Sequence, residues 1–354
     1  MGIQIISIAI QIVQIVIFCY IGFGTLYIFI FSIAGLFKYR SKETEKETPP
    51  RIAVLIPGYK EDLVIIEAAS DTIKQNYPLD RFDIIIIADS FQDATIQALK
   101  SIPVQVIEVS FENSTKSKAL NKAMAQLPDN FYDIVIILDA DNLMEKDFLY
   151  KIARAFTPRF IGIQGHRVAK NTNTAFAILD AISEEINNHI FRKGHRVLGF
   201  SSSLIGSGMA FNYTFFKKLM SNVLAIGGFD KEIELKMLGD GLKLEYLKDA
   251  YIFDEKVQAP EVFIKQRRRW LSAQMHYSKY LLKSIRQLIT KGNLDFFDKS
   301  IQMLLPPPNP PNRDFTADCS SFCICKLPDV YLDVDWYVGG LLPCHRMCYS
   351  VEIL

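Results

Sequence analysis

The first 37 residues contain no aspartate, glutamate, lysine or arginine, and this uncharged run constrains the fold more than any other feature. A helix needs about 20 apolar residues to cross a bilayer, so the run is long enough for one span and too short for two comfortable ones. A cleaved secretory signal is the alternative, but the run lacks a positively charged start and exceeds the length of a signal's apolar core. We therefore predict a transmembrane anchor over residues 1–37.

Basic residues follow the anchor at once, at Lys38, Arg40 and Lys42. Positive charge beside a span marks its cytoplasmic side. We therefore expect a protein of the cell (inner) membrane, with the lipid bilayer as a partner and the downstream domain in the cytoplasm. Residues 38–50 carry charge and end in Pro49-Pro50 without an apolar face, which predicts a linker.

The overall charge excludes one class of function. Lys plus Arg number 40 and Asp plus Glu 39, a net charge of +1, so no bulk positive charge is available to hold nucleic acid. A hydrophobic content of 49% with 22% charged residues also argues against a disordered or collagen-like chain. We expect no nucleic-acid partner.

The middle of the chain alternates short apolar runs with helical segments. The runs predict buried strands near residues 52–56, 82–88, 104–109 and 133–138, with helices near 61–75, 93–100 and 116–127. Such alternation predicts an α/β fold with a parallel sheet, which binds ligands at the carboxyl ends of its strands. No Gly-x-Gly-x-x-Gly follows the first strand and no phosphate-binding Gly-Lys-Ser/Thr loop is present, which argues against a dinucleotide enzyme or a P-loop ATPase.

Two carboxylates, Asp139 and Asp141, follow the fourth predicted strand. Their mutual repulsion is relieved when a divalent cation lies between them and a phosphate, and Mg²⁺ or Mn²⁺ prefers such oxygen ligands. The alternative is a turn or helix cap, which Asp-x-Asp also forms. The position at the end of a buried strand favours a metal–diphosphate site.

Six motifs follow one another along the chain. They are Ile56–Glu61, Asp89, Lys116–Asn121, Asp139–Asp141, Gln164-Gly165 with Gly206–Phe211, and Gln266–Trp270. In this order they resemble the motifs of family 2 glycosyltransferases, of the membrane-bound, polysaccharide-synthase-like type with Gln-x-x-Arg-Trp. The resemblance runs from about Arg51 to Pro307, with Ser117 where the family usually has glycine.

The resemblance implies a GT-A-type fold, a mostly parallel sheet with flanking helices, and a set of site residues. It assigns the nucleotide sugar, expected to be a UDP-sugar, to Pro57, Tyr59, Glu61, Asp89, Lys118 and Asp139. It assigns Mg²⁺ or Mn²⁺ to Asp141 with Asp139, and the acceptor and diphosphate to Gln266, Arg269 and Trp270.

The family's general base is usually the aspartate of a Glu-Asp pair after Gly-Gly-Phe. Here the sequence continues from Phe229 with Asp230, Lys231 and Glu232. Spacing puts Glu232 at the base position, with Lys231 where glutamate is common, and Asp230 is the other candidate. The bland alternative is that the acidic pair only caps a helix. A carboxylate base would support direct displacement with inversion at the anomeric carbon.

A basic cluster surrounds Trp270. Arg267 and Arg268 could meet anionic lipid, or could form a solvated helix face. Residues 277–289 alternate apolar and basic positions, which is typical of a helix at the membrane interface, although an ordinary packed helix has a similar pattern.

The last segment, residues 306–354, departs from the resemblance. It holds five of the six cysteines, and neither helical nor strand periodicity extends through it. We interpret it as an aberrant tail that a frameshift would produce. The alternative is a small metal-binding knuckle, whose ligands would come from Cys319, Cys323, Cys325, Cys344, His345 and Cys348.

These observations predict a catalytic domain over 51–250 and a Gln-x-x-Arg-Trp segment with interfacial helices over 251–305. The expected function is transfer of a sugar to a growing polysaccharide or glycan. The alternatives are single transfer to a lipid phosphate acceptor, and a catalytically inactive membrane protein that binds sugar nucleotides.

Overall fold

A computed structural model of the chain describes residues 2–305, except 46, 224 and 226. Both interpretations of the segment 306–354, as an aberrant tail or as a metal knuckle, lie outside the described residues. The anchor, the linker and the predicted catalytic segments lie within them.

One eight-stranded sheet, in the order β3-β2-β1-β4-β7-β6-β8-β5, organises the domain. β2, β1 and β4 run parallel to one another, as the alternating pattern predicts. β7 runs antiparallel to both β4 and β6, and β5 is antiparallel to β8, so the sheet is mixed. The strands are β1 Ile52–Tyr59, β2 Phe82–Asp89, β3 Gln105–Val109, β4 Ile134–Ile137, β5 Leu143–Met144, β6 Phe160–Ala169, β7 Met209–Asn212 and β8 Lys243–Asp254.

Helices cover both faces of the sheet. Short 3₁₀ turns span Leu79–Arg81 and Ser278–Tyr280, and a π-helix spans Asn188–Gly194. The α-helices are α1 Gly2–Leu36, α2 Ile65–Thr72, α3 Asp93–Lys100, α4 Lys116–Gln126, α5 Phe148–Ala155, α6 Ala175–Asn187, α7 His195–Val197, α8 Tyr213–Met220, α9 Phe229–Gly239, α10 Pro260–Tyr277, α11 Leu281–Lys291 and α12 Leu294–Gln302.

The first strand shows why its sequence is continuously apolar. Ala53 and Leu55 enter the hydrophobic cluster on one face of the sheet, whereas Ile52, Val54 and Ile56 enter the cluster on the other. Side chains alternate between the faces of a strand, so a strand buried on both faces must be apolar at every position. This central burial fixes where the carboxyl ends of β1 and β4 lie.

One predicted segment boundary differs from the structure. The boundary between residues 250 and 251 falls inside β8.

The segment predicted as a linker makes contacts along the domain. The Thr44 amide donates to the Arg154 carbonyl oxygen at 2.8 Å, and the Tyr39 hydroxyl donates to Glu245 at 2.5 Å. Its polar composition gives no sign of these contacts.

Helix α1 has two kinds of surface. Residues Gln4–Leu36 form the one candidate membrane span among the described residues, by length and apolarity, with a mean hydropathy of 2.3. Near its carboxyl end, Gly24, Tyr27, Phe31 and Ala34 are buried against the domain. Their spacing of three and four residues places them on one side of a helix.

Gly208 provides a test of the fold. It ends the site loop, which we define as Ser201–Gly208, and has a φ of +63°. A Cβ atom there would lie 2.6 Å from Ile252 Cγ1. We expect Gly208→Ala to lower the free energy of unfolding by about 2 kcal/mol or more, since backbone strain and steric overlap add. Thermal unfolding followed by circular dichroism in detergent measures the loss.

Gly241→Ala is the matched control, because Gly241 has a φ of +77° but nothing lies within 4 Å of the position that a Cβ would take. We expect the free energy of unfolding of this control to fall by only about 1 kcal/mol, because backbone strain is its sole cost. Equal losses in the two variants would contradict the packing around Gly208.

Candidate functional site

Three acidic groups meet at the carboxyl ends of the central strands. Glu61 follows β1, and Asp139 and Asp141 follow β4, which pairs directly with β1. Asp89 ends β2 opposite Tyr59 of β1 and is buried. The parallel arrangement therefore brings together residues that are far apart in the sequence.

The electrostatics of this edge are dominated by burial and like charge. Burial raises the pKa of Asp141 to about 6, and the charges of Asp139 and Asp254 add to the rise. Burial also raises the pKa of Glu61 to about 7, with further contributions from Asp141 and Asp139 that Lys116 opposes. Carboxylates arranged in this way are stabilised when a cation joins them.

Lys116 is the cation that the protein itself supplies. Its ammonium forms an ion pair with Asp139, donates to the Gly206 carbonyl oxygen at 2.8 Å and lies 5.0 Å from the Phe229 ring centroid. Lys118, the lysine that the resemblance assigned to the nucleotide sugar, is exposed instead and donates to the Asn113 carbonyl oxygen at 2.7 Å. Both lysines lie in the first turn of α4, whose N-cap Thr115 accepts from the Lys118 amide.

The site loop holds Asp139 from the other side. The Asp139 amide donates to Ser207 Oγ at 3.0 Å. Buried Gln164 of β6 supports the loop twice: its Nε2 donates to the Ser207 carbonyl oxygen at 2.9 Å, and its Oε1 accepts from the Ile205 amide at 3.0 Å. Both contacts of Gln164 therefore stabilise the site loop.

A buried ion cluster, which we define as Arg167, Glu184, Arg192, Asp254 and Lys256, lies beyond Asp141. Burial alone would raise the pKa of Glu184, but the three cations together lower it to about 2. Asp254 accepts from the Asn142 side chain at 3.1 Å, which connects the cluster to the segment that carries Asp141. Nothing in the sequence indicated this cluster, because its members are spread along the chain from Arg167 in β6 to Lys256 just after β8.

The two candidate bases, Asp230 and Glu232, lie in the first turn of α9. Glu232 pairs with Lys236 at 2.5 Å, and its charge contributes to the raised pKa of Tyr277, of which burial is the main cause. Asp230 lies 3.7 Å from Lys231 Nζ. Phe229 of the same turn contacts Lys116, so the turn adjoins the carboxylate edge.

Helix α10 carries Gln266, Arg269 and Trp270 and packs across α9: a Cβ on Gly228 would lie 2.9 Å from Ala273 Cβ. Trp270 is 37% exposed and Arg269 is exposed. Arg267, which the sequence offered as a lipid contact, instead donates to Asp180 at 2.6 Å. It therefore faces the protein, and its neighbour Arg268 is exposed.

The remaining predicted nucleotide contacts lie on β1. Pro57 pairs with Ile87 inside the sheet, and Tyr59 at the strand end is 52% exposed. A flat exposed ring beside Asp89 and Glu61 suits a planar ligand such as a nucleotide base. The structure thus brings Tyr59, Glu61, Asp89, Asp139 and Asp141 to one edge.

The donor set can be compared with what a divalent cation needs. Among the described residues, no group of three or more His, Cys, Asp or Glu side chains has the arrangement of a complete metal site. Mg²⁺ commonly binds through one or two carboxylates and completes its shell with water and substrate phosphates. Asp139 and Asp141 fit that kind of site, since burial and the neighbouring charge of Asp139 both raise the pKa of Asp141 and a cation would relieve both.

The mixed sheet carries acidic residues at or just after the ends of β1, β2 and β4, which agrees with the GT-A-type fold expected from the sequence. The family described as "Glycosyltransferase like family 2" matches residues 49–273. The chain therefore belongs to glycosyltransferase-like family 2, and the predicted fold class is confirmed.

Comparison with solved structures supports the fold. The mannosyltransferase PcManGT from Pyrobaculum calidifontis, solved in complex with GDP-Man and Mn²⁺, superposes with a TM-score of 0.57 at 16% identity. The match covers 86% of this chain and 88% of that one.

The curated relatives are longer than this chain. The probable glycosyltransferase YdaM of Bacillus subtilis is 23% identical over 65% of this chain and 56% of its own length. A beta-monoglucosyldiacylglycerol synthase of Synechocystis is 24% identical over 66% and 49%. A poly-beta-1,6-N-acetyl-D-glucosamine synthase of Staphylococcus aureus is 25% identical over 62% and 53%. The chain spans about half the length of the curated relatives it matches.

The buried ion cluster generates a stability prediction. Glu184→Gln leaves Arg167, Arg192 and Lys256 with one anion fewer, so we expect a loss of about 3–5 kcal/mol in the free energy of unfolding. Glu185→Gln is the matched control, since this neighbour is 53% exposed and should change stability by less than about 0.5 kcal/mol. Similar melting temperatures for both variants would show that the cluster is not a structural requirement.

Proposed function

We propose that the protein is a membrane-anchored glycosyltransferase that moves a sugar from a nucleotide sugar, expected to be a UDP-sugar, to a growing polysaccharide or glycan. The observation that carries the proposal is the group of Glu61, Asp139 and Asp141 at one sheet edge of a family 2 domain. An anionic ligand can bind beside these three carboxylates only when it brings a cation with it. A nucleotide diphosphate with Mg²⁺ or Mn²⁺ satisfies that condition.

In this proposal Asp139 and Asp141 hold the divalent ion. When bound, the ion supplies positive charge that stabilises the departing diphosphate. Lys116 lies beside Asp139 and adds a fixed positive charge at the same place. Tyr59 and Asp89 would contact the nucleoside, as the family resemblance implies.

The acceptor side is proposed to be formed by α9 and α10. A carboxylate in the first turn of α9, Glu232 or Asp230, removes the proton of the acceptor hydroxyl. The oxygen of that hydroxyl attacks the anomeric carbon in the same step. Glu232 has the family's position but is paired with Lys236, whereas Asp230 has the looser partner. Trp270 offers an exposed face on which a sugar ring can stack.

We further propose that α1 anchors the domain in the inner membrane with the catalytic domain on the cytoplasmic side. The candidate span and the basic residues Lys38, Arg40 and Lys42 support this orientation. Single transfer to a lipid acceptor is the second candidate function, because one relative is a beta-monoglucosyldiacylglycerol synthase.

The donor site is tested by turnover of a panel of UDP- and GDP-sugars with and without Mn²⁺. We expect Asp141→Asn to lower kcat/KM at least about 100-fold, because it removes a negative charge that the ion needs. Asp80→Asn, at a carboxylate that is 78% exposed, is the control and should keep full activity. Full turnover by Asp141→Asn, or no turnover by the wild type with any donor, contradicts the proposal.

The base is tested by comparing Glu232→Gln with Asp230→Asn in glycosyl transfer. Loss of a general base lowers kcat by about 10²–10⁴ and leaves nucleotide binding intact. We expect that loss in one of the two variants, and binding of UDP by calorimetry should be unchanged in both. If both variants keep wild-type kcat, neither carboxylate acts as the base.

A further inference from the structure

The carboxyl-terminal part of α1 is joined to the domain by more than apolar packing. The Tyr27 hydroxyl donates to Asp298 Oδ1 at 2.6 Å. Phe31 stacks on His195 with ring centroids 3.6 Å apart. A Cβ on Gly194 would lie 2.3 Å from the Phe31 carbonyl oxygen, so the backbones approach closely. A helix that only anchored the domain would need none of these contacts.

Helix α12 continues the polar contacts inward. Gln302 Nε2 donates to Asp298 Oδ2 at 2.8 Å, and Lys299 Nζ donates to Gln302 Oε1 at 3.0 Å. All three side chains are buried. Buried polar groups are costly unless each finds a partner, so this row has a defined geometry.

Lys299 connects these buried polar side chains to two segments of the candidate site, the site loop and α9. Its ammonium donates to Ser203 Oγ at 2.8 Å and pairs with buried Glu234 of α9 at 2.6 Å. Ser203 belongs to the site loop, whose Ser207 accepts from the Asp139 amide. Glu234 lies one turn beyond Asp230 and 3.7 Å from Lys231, which also donates to the Leu204 carbonyl oxygen at 2.9 Å.

We propose that Tyr27, Asp298, Gln302 and Lys299 form a positioning relay, through which docking of α1 sets the geometry of the site loop and of the first turn of α9. The proposal rests on the proposed function, because it takes these two segments as the walls of the glycosyl-transfer site. The relay residues touch no substrate and act through the loop and the turn. Correct placement of reacting groups is worth several powers of ten in rate, so a small displacement lowers kcat.

The first experiment compares two tyrosine hydroxyls on the same helix in the full-length protein in detergent. Tyr27→Phe removes the donor to Asp298, whereas Tyr20→Phe removes a hydroxyl that bonds to the Leu304 carbonyl oxygen outside the relay. We expect Tyr27→Phe to lower kcat about 3- to 10-fold, the effect of one hydrogen bond, with the Kd for UDP changed less than twofold. Tyr20→Phe should behave as wild type. Equal kcat for both variants overturns the relay.

A double-mutant cycle separates a relay from two independent structural defects. Tyr27 begins the relay, and Ser203 is the site-loop residue that Lys299 contacts at its other end. Their effects on kcat should therefore be non-additive when Tyr27→Phe is combined with Ser203→Ala. Additive effects would mean that docking and loop placement are uncoupled, which contradicts the proposal.

Hydrogen exchange gives a readout that does not need activity. In Tyr27→Phe, the amides of the site loop and of the first turn of α9 should exchange at least about threefold faster than in Tyr20→Phe, while β1 and β2 exchange unchanged. Unchanged exchange at the loop contradicts the relay whether or not the protein turns over a donor. Absence of turnover in the wild type with altered exchange in Tyr27→Phe would instead count against the proposed function alone.

Discussion

Repulsion among Glu61, Asp139 and Asp141 is the constraint on which the rest of this structure depends. Three carboxylates cannot remain charged and partly buried at one edge unless the surroundings hold them there and a cation relieves them. Burial, together with this repulsion, raises the pKa of Glu61 to about 7 and that of Asp141 to about 6. The strands buried on both faces hold the three carboxylates in place. Part of the repulsion among them is left for a bound cation to relieve.

The protein offsets the remaining repulsion from two sides. Lys116 and the site loop hold Asp139, and Arg167 of the buried ion cluster lowers the pKa of Asp141 against the charge of Asp254. Glu184 is shared among three buried cations, of which Arg167 and Lys256 also pair with Asp254. Both supports are polar, which means that they specify geometry rather than merely adding apolar contact.

Much of the fold could be predicted because its determinants are local. The apolar runs at β1, β2 and β4 and the turn residues between them predict strands and helices directly, and parallel pairing then brings Asp89 and Asp139 together. The antiparallel insertion of β7 could not be predicted, because pairing partners along a mixed sheet depend on contacts distant in sequence. For the same reason the sequence indicated Lys118, whereas the structure pairs Lys116 with Asp139, 23 residues along the chain.

Helix α1 shows the same limit more sharply. Every side of it is apolar, so its sequence predicts a span but gives no sign of which side contacts protein, and the stripe through Tyr27 and Phe31 becomes visible only against the π-helix and α12. About 20 residues suffice to cross a bilayer, and 35 are helical here, so the length leaves room for both tasks. In the proposed arrangement the amino-terminal part of this helix would cross the bilayer, and its carboxyl-terminal part would serve the proposed relay.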